Sequence, residues 1–355
     1  MKKSILAILY ALKRAFSLIK VSIGLRLGLI QSIQIMPYKG FGNAHEIFFV
    51  GRVLRDRGIG ISTIEDSKWR NFVNMYKRFA SWEIPGLQIQ ARFQGEEVTV
   101  ISDDEGYFEV HLSKADGWKL THFWNQVELT LLDNPLKDAP LVQVHNPVFI
   151  PYEACDFGVI SDIDDTIVPT GATRLWEMVK TTFFGNAHTR LPFEGVAEFY
   201  QALHRGMDGL DSNPFFYVSS SPWNLYDFLM EFLDAHQIPK GPLMLRDLGL
   251  SREQFIAGSH WEHKLRQVEK VFEVEKELPF ILIGDSGQHD AEIYLQVIKD
   301  YPGRVKAVYI RSVSENREEL MQKIANEMLA LGVEMLLIHD TNQAFSHARL
   351  NSWIR

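Results

Sequence analysis

Acidic residues are missing from the first 40 positions of this chain, where seven Lys or Arg stand without one Asp or Glu. Cysteine is nearly missing too, with Cys155 alone. One thiol forms no internal disulfide and no Cys-rich metal site. It fits a reducing, cytoplasmic compartment. Its place just before an apolar strand predicts a buried, inert thiol. Long apolar runs are also absent. The longest uncharged stretches near the start are Ser4–Leu12 and Leu27–Tyr38, short of the roughly 18–20 residues of a spanning helix. Lys13 and Arg14 interrupt the pattern where a signal peptide would continue, and no small-residue cleavage site follows.

What is there is a 355-residue chain, 46% hydrophobic and 23% charged. Those values exclude a disordered chain, a collagen and a coiled coil. The length suits two domains with a short third element. A formal net charge of −8 argues against a general nucleic-acid binder, so no nucleic acid is expected as partner. That total hides a division. The first 40 residues carry +7, while the other 315 hold 30 basic and 45 acidic residues.

At 100° per residue, Ile5, Ile8, Leu12, Phe16, Ile19 and Ile23 fall within one arc of about 80°. Lys2, Lys3, Lys13, Arg14, Ser17 and Lys20 fall opposite, and Arg26 ends the pattern near Gly24. Two readings stay open. Residues 1–30 lie on an anionic membrane surface, where each lysine is worth about 1 kcal/mol, or the apolar stripe docks on the protein's own core. The lack of acids favours the membrane, because a solvated face usually mixes signs.

Residues 45–150 read as strands at His45–Val53, Leu87–Phe93, Val98–Ile101, Tyr107–Leu112, Val127–Leu132 and Leu141–Val144. One helix is expected over Asp66–Ser81, and a small antiparallel sandwich results. Asp103–Gly106 reads as a tight acidic turn. Asn146-Pro147 and Pro151 mark a linker.

Beyond it, three apolar runs end in polar clusters. Phe157–Ile163 leads into Asp162-Ile163-Asp164-Asp165-Thr166, Phe215–Val218 into Ser219-Ser220-Ser221-Pro222, and Phe280–Ile283 into Gly284-Asp285-Ser286-Gly287. Helical patterns fill the gaps, and further strands are expected at Val305–Ile310 and Val333–Ile338. Alternating strands and helices give a parallel sheet that binds ligands outside its carboxyl ends. In Asp162-x-Asp164 a period of two turns both carboxylates to one pocket. Close carboxylates repel, so a divalent cation or a raised pKa is expected. With Asp285 as a third acid, oxygen-only ligation suits magnesium, and magnesium beside a free carboxylate suits phosphoryl transfer. Ser219 supplies a hydroxyl and Lys264 a positive charge for the phosphoryl oxygens.

In this order the motifs match the haloacid dehalogenase-like phosphatases. Ser-Ser-Pro-Trp-Asn-Leu (residues 220–225), Gly-Asp-Ser-Gly-Gln (284–288), Pro239-Lys240-Gly241-Pro242 and Pro302-Gly303-Arg304-Val305 are more specific. With them, about residues 150–315 resemble the catalytic domain of the actin-patch-type phosphatidate phosphatases. The resemblance implies a magnesium-dependent phosphatase that converts phosphatidate to diacylglycerol through an aspartyl-phosphate. It implies Asp162 as nucleophile and Asp164 as acid/base. It implies Ser219 and Lys264 on the phosphoryl group, with Thr166 and Ser220 beside them. Asp162, Asp164 (through its carbonyl), Asp285 and Asp290 would surround the metal.

The expected fold class is therefore α/β: a doubly wound parallel sheet of haloacid dehalogenase-like type with minimal cap (151–355), preceded by a small β-sandwich (41–150) and a basic amphipathic N-terminal segment (1–40). Thr173–Phe184, with Trp176, Phe183 and Phe184, is expected to be a helix contacting acyl chains or the sheet. The rival functions are a soluble phosphatase acting on another phosphoester and a non-enzymatic lipid-binding scaffold. The expected location is cytoplasmic and peripheral to a membrane.

Overall fold

The computed structural model describes residues 19–56, 82–136, 139–151, 155–168, 191–210, 212–246 and 260–355. The expected helices at 66–81 and 173–184 lie outside the described residues. The chain divides into two compact units.

The first unit is built on one eight-stranded sheet. Its strands are β1 (Ile33–Pro37), β2 (Gly40–Gly42), β3 (Glu46–Arg55), β4 (Gln88–Phe93), β5 (Glu96–Ile101), β6 (Tyr107–Ser113), β7 (Trp124–Leu131) and β8 (Gln143–Phe149). The order is β1-β3-β2-β8-β7-β4-β5, with β6 paired to β3. Period-two burial runs along β4, where Ile89, Ala91 and Phe93 are buried between more exposed neighbours. A two-residue turn joins β4 to β5. Gln94 at φ 43 and Gly95 at φ 91 place two successive residues at positive φ, as a turn matching strand twist requires. The acidic turn before β6 closes on Asp103, whose Oδ1 accepts from the Glu105 and Tyr107 N–H groups at 2.8 Å each. Ile47, Phe49, Val53, Ile89, Val110, Val127 and Leu129 form its core.

Residues 19–26 are helical. Val21 and Leu25 pack against the core cluster of this unit. Gly24 is buried, and a Cβ there would run into the Trp82 ring. Lys20 lies over that ring at 5.1 Å. Ile19 and Ile23 point away and are 57% and 49% exposed.

The second unit carries a six-stranded sheet, all parallel. Its strands are β9 (Gly158–Ser161), β10 (Phe215–Pro222), β11 (Leu243–Arg246), β12 (Phe280–Asp285), β13 (Val305–Arg311) and β14 (Glu334–Ile338). Their order is β11-β10-β9-β12-β13-β14. Its helices are α1 (Val196–Arg205), α2 (Tyr226–Ala235), α3 (His260–Val274), α4 (Asp290–Asp300), α5 (Glu318–Ala330) and α6 (Thr341–Leu350). The apolar runs that end in polar clusters are the central strands, buried along their length as parallel strands are.

The expected fold class needs correction. A haloacid dehalogenase-like type preceded by a purely antiparallel sandwich is not what the structure bears out. It holds two separate sheets, one of mixed direction and one all parallel. The first sheet is mixed because β2 pairs parallel to β8, Gly40 opposite Val148 and Phe41 opposite Phe149. Alternation identifies a strand but not its partner, and a three-residue strand of Gly-Phe-Gly shows no alternation at all. The expected linker also shifts, since Asn146 and Pro147 lie inside β8. Ile30, Ile33 and Ile35 join the first core. Cys155 is half-buried, its Sγ donating to the Ser212 carbonyl at 3.2 Å. No helix of the described residues is long and apolar enough to cross a membrane.

Candidate active site

Strand order reverses between β9 and β12, and polar groups gather there at the carboxyl ends, where such sheets bind ligands. β9 ends at Ser161, so Asp162 and Asp164 lie beyond the strand. The chain curls back at once. The Ile163 carbonyl accepts from the Ile167 N–H at 2.9 Å, and the Asp165 N–H donates to the Val168 carbonyl at 2.8 Å. Asp165 sits at φ 58, a left-handed conformation that Asp tolerates better than most residues.

Beyond the strand the two carboxylates take different partners. Asp162 is fully buried. Its Oδ1 accepts from Lys264 Nζ at 2.8 Å and its Oδ2 from the Thr166 hydroxyl at 3.1 Å. Asp164 turns towards β10, where its Oδ2 accepts from the Ser219 hydroxyl at 2.6 Å and the Ser221 hydroxyl at 2.9 Å. Ser219 and Ser221 thus both face Asp164, on a stretch of β10 whose register against β11 shifts between Val218 and Pro222. Ser220 is not brought to this carboxylate.

Asp285 ends β12 and Asp290 opens α4. Carboxylate oxygens of Asp162, Asp285 and Asp290 lie within 4.8 Å of one another, and all three residues are buried. Asp290 Oδ2 accepts from the Asp285 N–H at 3.0 Å. That close approach needs Gly284, where a Cβ would come within 2.5 Å of Asp290 Oδ2. Asp285 Oδ1 accepts from the N–H groups of Gly287 at 2.6 Å and Gln288 at 3.0 Å. Lys264, from α3, is 3% exposed and bridges Asp162 to Asp290. Its ammonium is thus committed to two carboxylates rather than held free for a ligand.

Burial dominates the electrostatics. It pushes the Asp162 carboxyl well above the usual range; Lys264 pulls back, while Asp290, Asp285 and Asp164 push up. Asp285 is pushed up to about 8, first by burial and then by the Asp290 charge. Burial alone would lower the Lys264 ammonium, but the charges of Asp162, Asp290 and Asp285 drive it above its ordinary value. Three carboxylates and one ammonium leave a formal charge of −2 with almost no solvent access. A divalent cation is the ion that such a donor set of oxygens and charge fits.

Several working groups carried no separate signal in the sequence. Ser221 belongs to a run of three serines and is picked out only by its bond to Asp164. Gln288 Nε2 lies 3.3 Å from Asp285 Oδ2 and 3.5 Å from the Asp164 carbonyl, so it spans two of the loops. Arg311, at the end of β13, donates to the Thr166 carbonyl at 3.2 Å and lies over Phe193 at 4.3 Å. The nearby histidines have local roles. His204 Nδ1 meets the Asn213 carbonyl at 2.7 Å, and His289 meets Glu292 at 3.2 Å.

Fold and site define a class: an α/β unit with a buried carboxylate–lysine centre at the switch point of a parallel sheet. Residues 157–312 match the family model described as the catalytic domain of phosphatidate phosphatase APP1. The phosphatidate phosphatase APP1 of Saccharomyces cerevisiae is 33% identical over 177 residues, 48% of this chain and 29% of that protein. An uncharacterized protein of Schizosaccharomyces pombe is 26% identical over 223 residues, 61% of this chain and 35% of its own. The chain thus spans about a third of the curated relatives it matches. Among solved structures, a carbohydrate acetylesterase of Xanthomonas citri aligns at 12% identity with a TM-score of 0.25, over 76% of this chain and 66% of its own. A likeness that slight carries no argument.

Proposed function

We propose that the second unit is a magnesium-dependent phosphatase that removes the phosphate of phosphatidate or a closely related lipid phosphate. The observation that carries this reading is the buried triad of Asp162, Asp285 and Asp290 around Lys264, lying within the segment that matches the phosphatidate phosphatase catalytic domain.

Asp162, Asp285 and Asp290 would hold the metal, which supplies charge neutralisation for a phosphoryl group and its oxygens. The Asp164 carbonyl is the further oxygen in reach of Gln288. Asp162 is the nucleophile of this reading. Thr166 and Lys264 fix its two oxygens, so the carboxylate needs little reorientation on attack. Attack breaks the bond between phosphorus and the alkoxide oxygen and gives an aspartyl-phosphate; Asp164, entering as its acid, gives its proton to the alkoxide and then takes one from the water that cleaves the aspartyl-phosphate, which frees phosphate and restores Asp162. Ser219 and Ser221 hold the Asp164 carboxylate in place and orient its transfer of a proton to the alkoxide and, in the second step, from water. When a phosphate enters, the Ser219 hydroxyl turns to its oxygens while Ser221 keeps hold of Asp164, and the Lys264 ammonium, still on its two carboxylates, has its third N–H left to donate.

Phosphate release from phosphatidate in mixed micelles tests the reading. Release should require magnesium, stop with a chelator, and exceed that from soluble phosphoesters. Asp162→Asn should lower it by at least about a thousandfold while the protein stays folded. Equal turnover of soluble phosphoesters would favour the general phosphoesterase instead. Substantial turnover by Asp162→Asn would remove Asp162 from the nucleophile's role.

A further inference from the structure

The helix at residues 19–26 turns its apolar stripe away from the unit that holds it. One side, through Val21, Gly24 and Leu25, is taken up by the first core and by Trp82. The other carries Ile19 at 57%, Ile23 at 49% and Leu27 at 67% exposed. The Leu27 N–H donates to the Ile23 carbonyl at 2.9 Å, so Leu27 continues the same turn and lies above Ile23. Leu29, 44% exposed, follows it. Docking on the protein's own body therefore uses a different face from the stripe that the sequence periodicity picked out. Four large apolar side chains are left in water within eleven residues, which a soluble surface rarely tolerates without a use.

Charge identifies the occupant. Arg26 flanks the stripe and is exposed, and Lys2, Lys3, Lys13 and Arg14 precede it in a sequence whose first acid is Glu46. Apolar residues beside a run of cations with no acid among them in sequence fit an anionic lipid surface: the apolar groups enter the acyl boundary and the cations meet the head groups. The remainder of the chain is acidic, so such a surface would otherwise repel it.

We infer that the exposed face of this helix, centred on Ile19, Ile23 and Leu27, docks the protein on an anionic membrane. The inference rests on the lipid-phosphate reading for its purpose, since that substrate stays in a bilayer, and on the helix for its grounds. The docked face keeps the helix in place whichever residues stand on the free one.

The test is co-sedimentation of the full chain with two kinds of vesicle, phosphatidylcholine alone and equal parts phosphatidylcholine and phosphatidylserine. The protein should pellet with the mixed vesicles and not with the neutral ones, less so in high salt. Ile19→Ser, Ile23→Ser and Leu27→Ser together should weaken that binding by at least about tenfold. Thermal melting and magnesium-dependent hydrolysis of a soluble phosphoester should not change. Equal vesicle binding by wild type and variant overturns the inference, as does a wild type that ignores both vesicles. A concentration-dependent dimer that the variant abolishes, with vesicle binding unaltered, would assign the stripe to a second copy of the chain and overturn it too. The soluble phosphoester keeps the two readings apart, because its hydrolysis depends on the active site and not on docking.

Discussion

Lys264 shows what one side chain has to balance. It is 3% exposed and bonded to two carboxylates that are themselves fully buried. A buried ion pair is costly to assemble, yet removing one partner is worse, because it strands the other charge. Lys264→Met should therefore destabilise the protein by about 3–5 kcal/mol. It should do so far more than Asp162→Asn, which removes a charge that burial and neighbouring acids already oppose. Urea unfolding of both variants measures the difference, and a Lys264→Met midpoint equal to wild type would contradict the account. Asp162 and Asp285 were legible in the sequence because each stands where an apolar run stops, whereas Asp290 opens a helix after a polar loop. Their partners were less so. Lys264 reaches the acids across 102 residues from Asp162, and nothing local to its helix announces that contact. Ser221 was hidden among its neighbours, and the different partners of Asp162 and Asp164 could not be read from strand periodicity, because both lie past the end of β9.

At the scale of elements, one residue ties three of them together. Asn213 precedes β10 and is buried. Its Oδ1 accepts from the Asp156 N–H at 3.1 Å, ahead of β9, and its Nδ2 donates to the Leu203 carbonyl at 2.9 Å, in the last turn of α1. Its own N–H donates to the His204 carbonyl at 3.1 Å. The entry to β9 is thus anchored to the helix that follows the first site loop. Asn213→Ala would leave a backbone donor and a carbonyl unpaired in the interior, at a cost of about 2–4 kcal/mol. A chemical melt should show it, and a loss below about 0.5 kcal/mol would mean the staple is idle. Such ties are long-range and leave no periodic trace. The same holds for elements that the sequence reading passed over. β11 is four residues behind Pro239-Lys240-Gly241-Pro242, and β2 is a Gly-Phe-Gly bridge. α6 is started by Asp340, whose side chain accepts from the Gln343 N–H; its mixed composition hides the helical period. Long apolar strands such as β12 and β13 were legible because a parallel strand is buried on both faces.

At the scale of the whole molecule, the acidic centre makes stability depend on pH and metal together. Burial raises the folded-state carboxyls of Asp162 and Asp285, the latter to about 8, while the unfolded chain keeps them near 4. Between about pH 4 and about 8 the folded state therefore holds protons that the unfolded state has released. Stability from these groups is fully present below the unfolded value and is lost as pH rises through the folded one. Without magnesium the melting temperature should fall from pH 5.5 to pH 8. The proposed cation binds the ionised carboxylates and must displace those protons, so its affinity rises over the same range. Magnesium should then raise the melting temperature more at pH 8 than at pH 5.5. Groups outside the centre enter the melts with and without metal alike and cancel in the difference. Asp285→Asn removes the group that couples proton to metal and should flatten that difference towards zero. An equal magnesium increment at both pH values in the wild type would show that no buried carboxylate gives up a proton to the metal, and the centre would have to bind its ligand by other means.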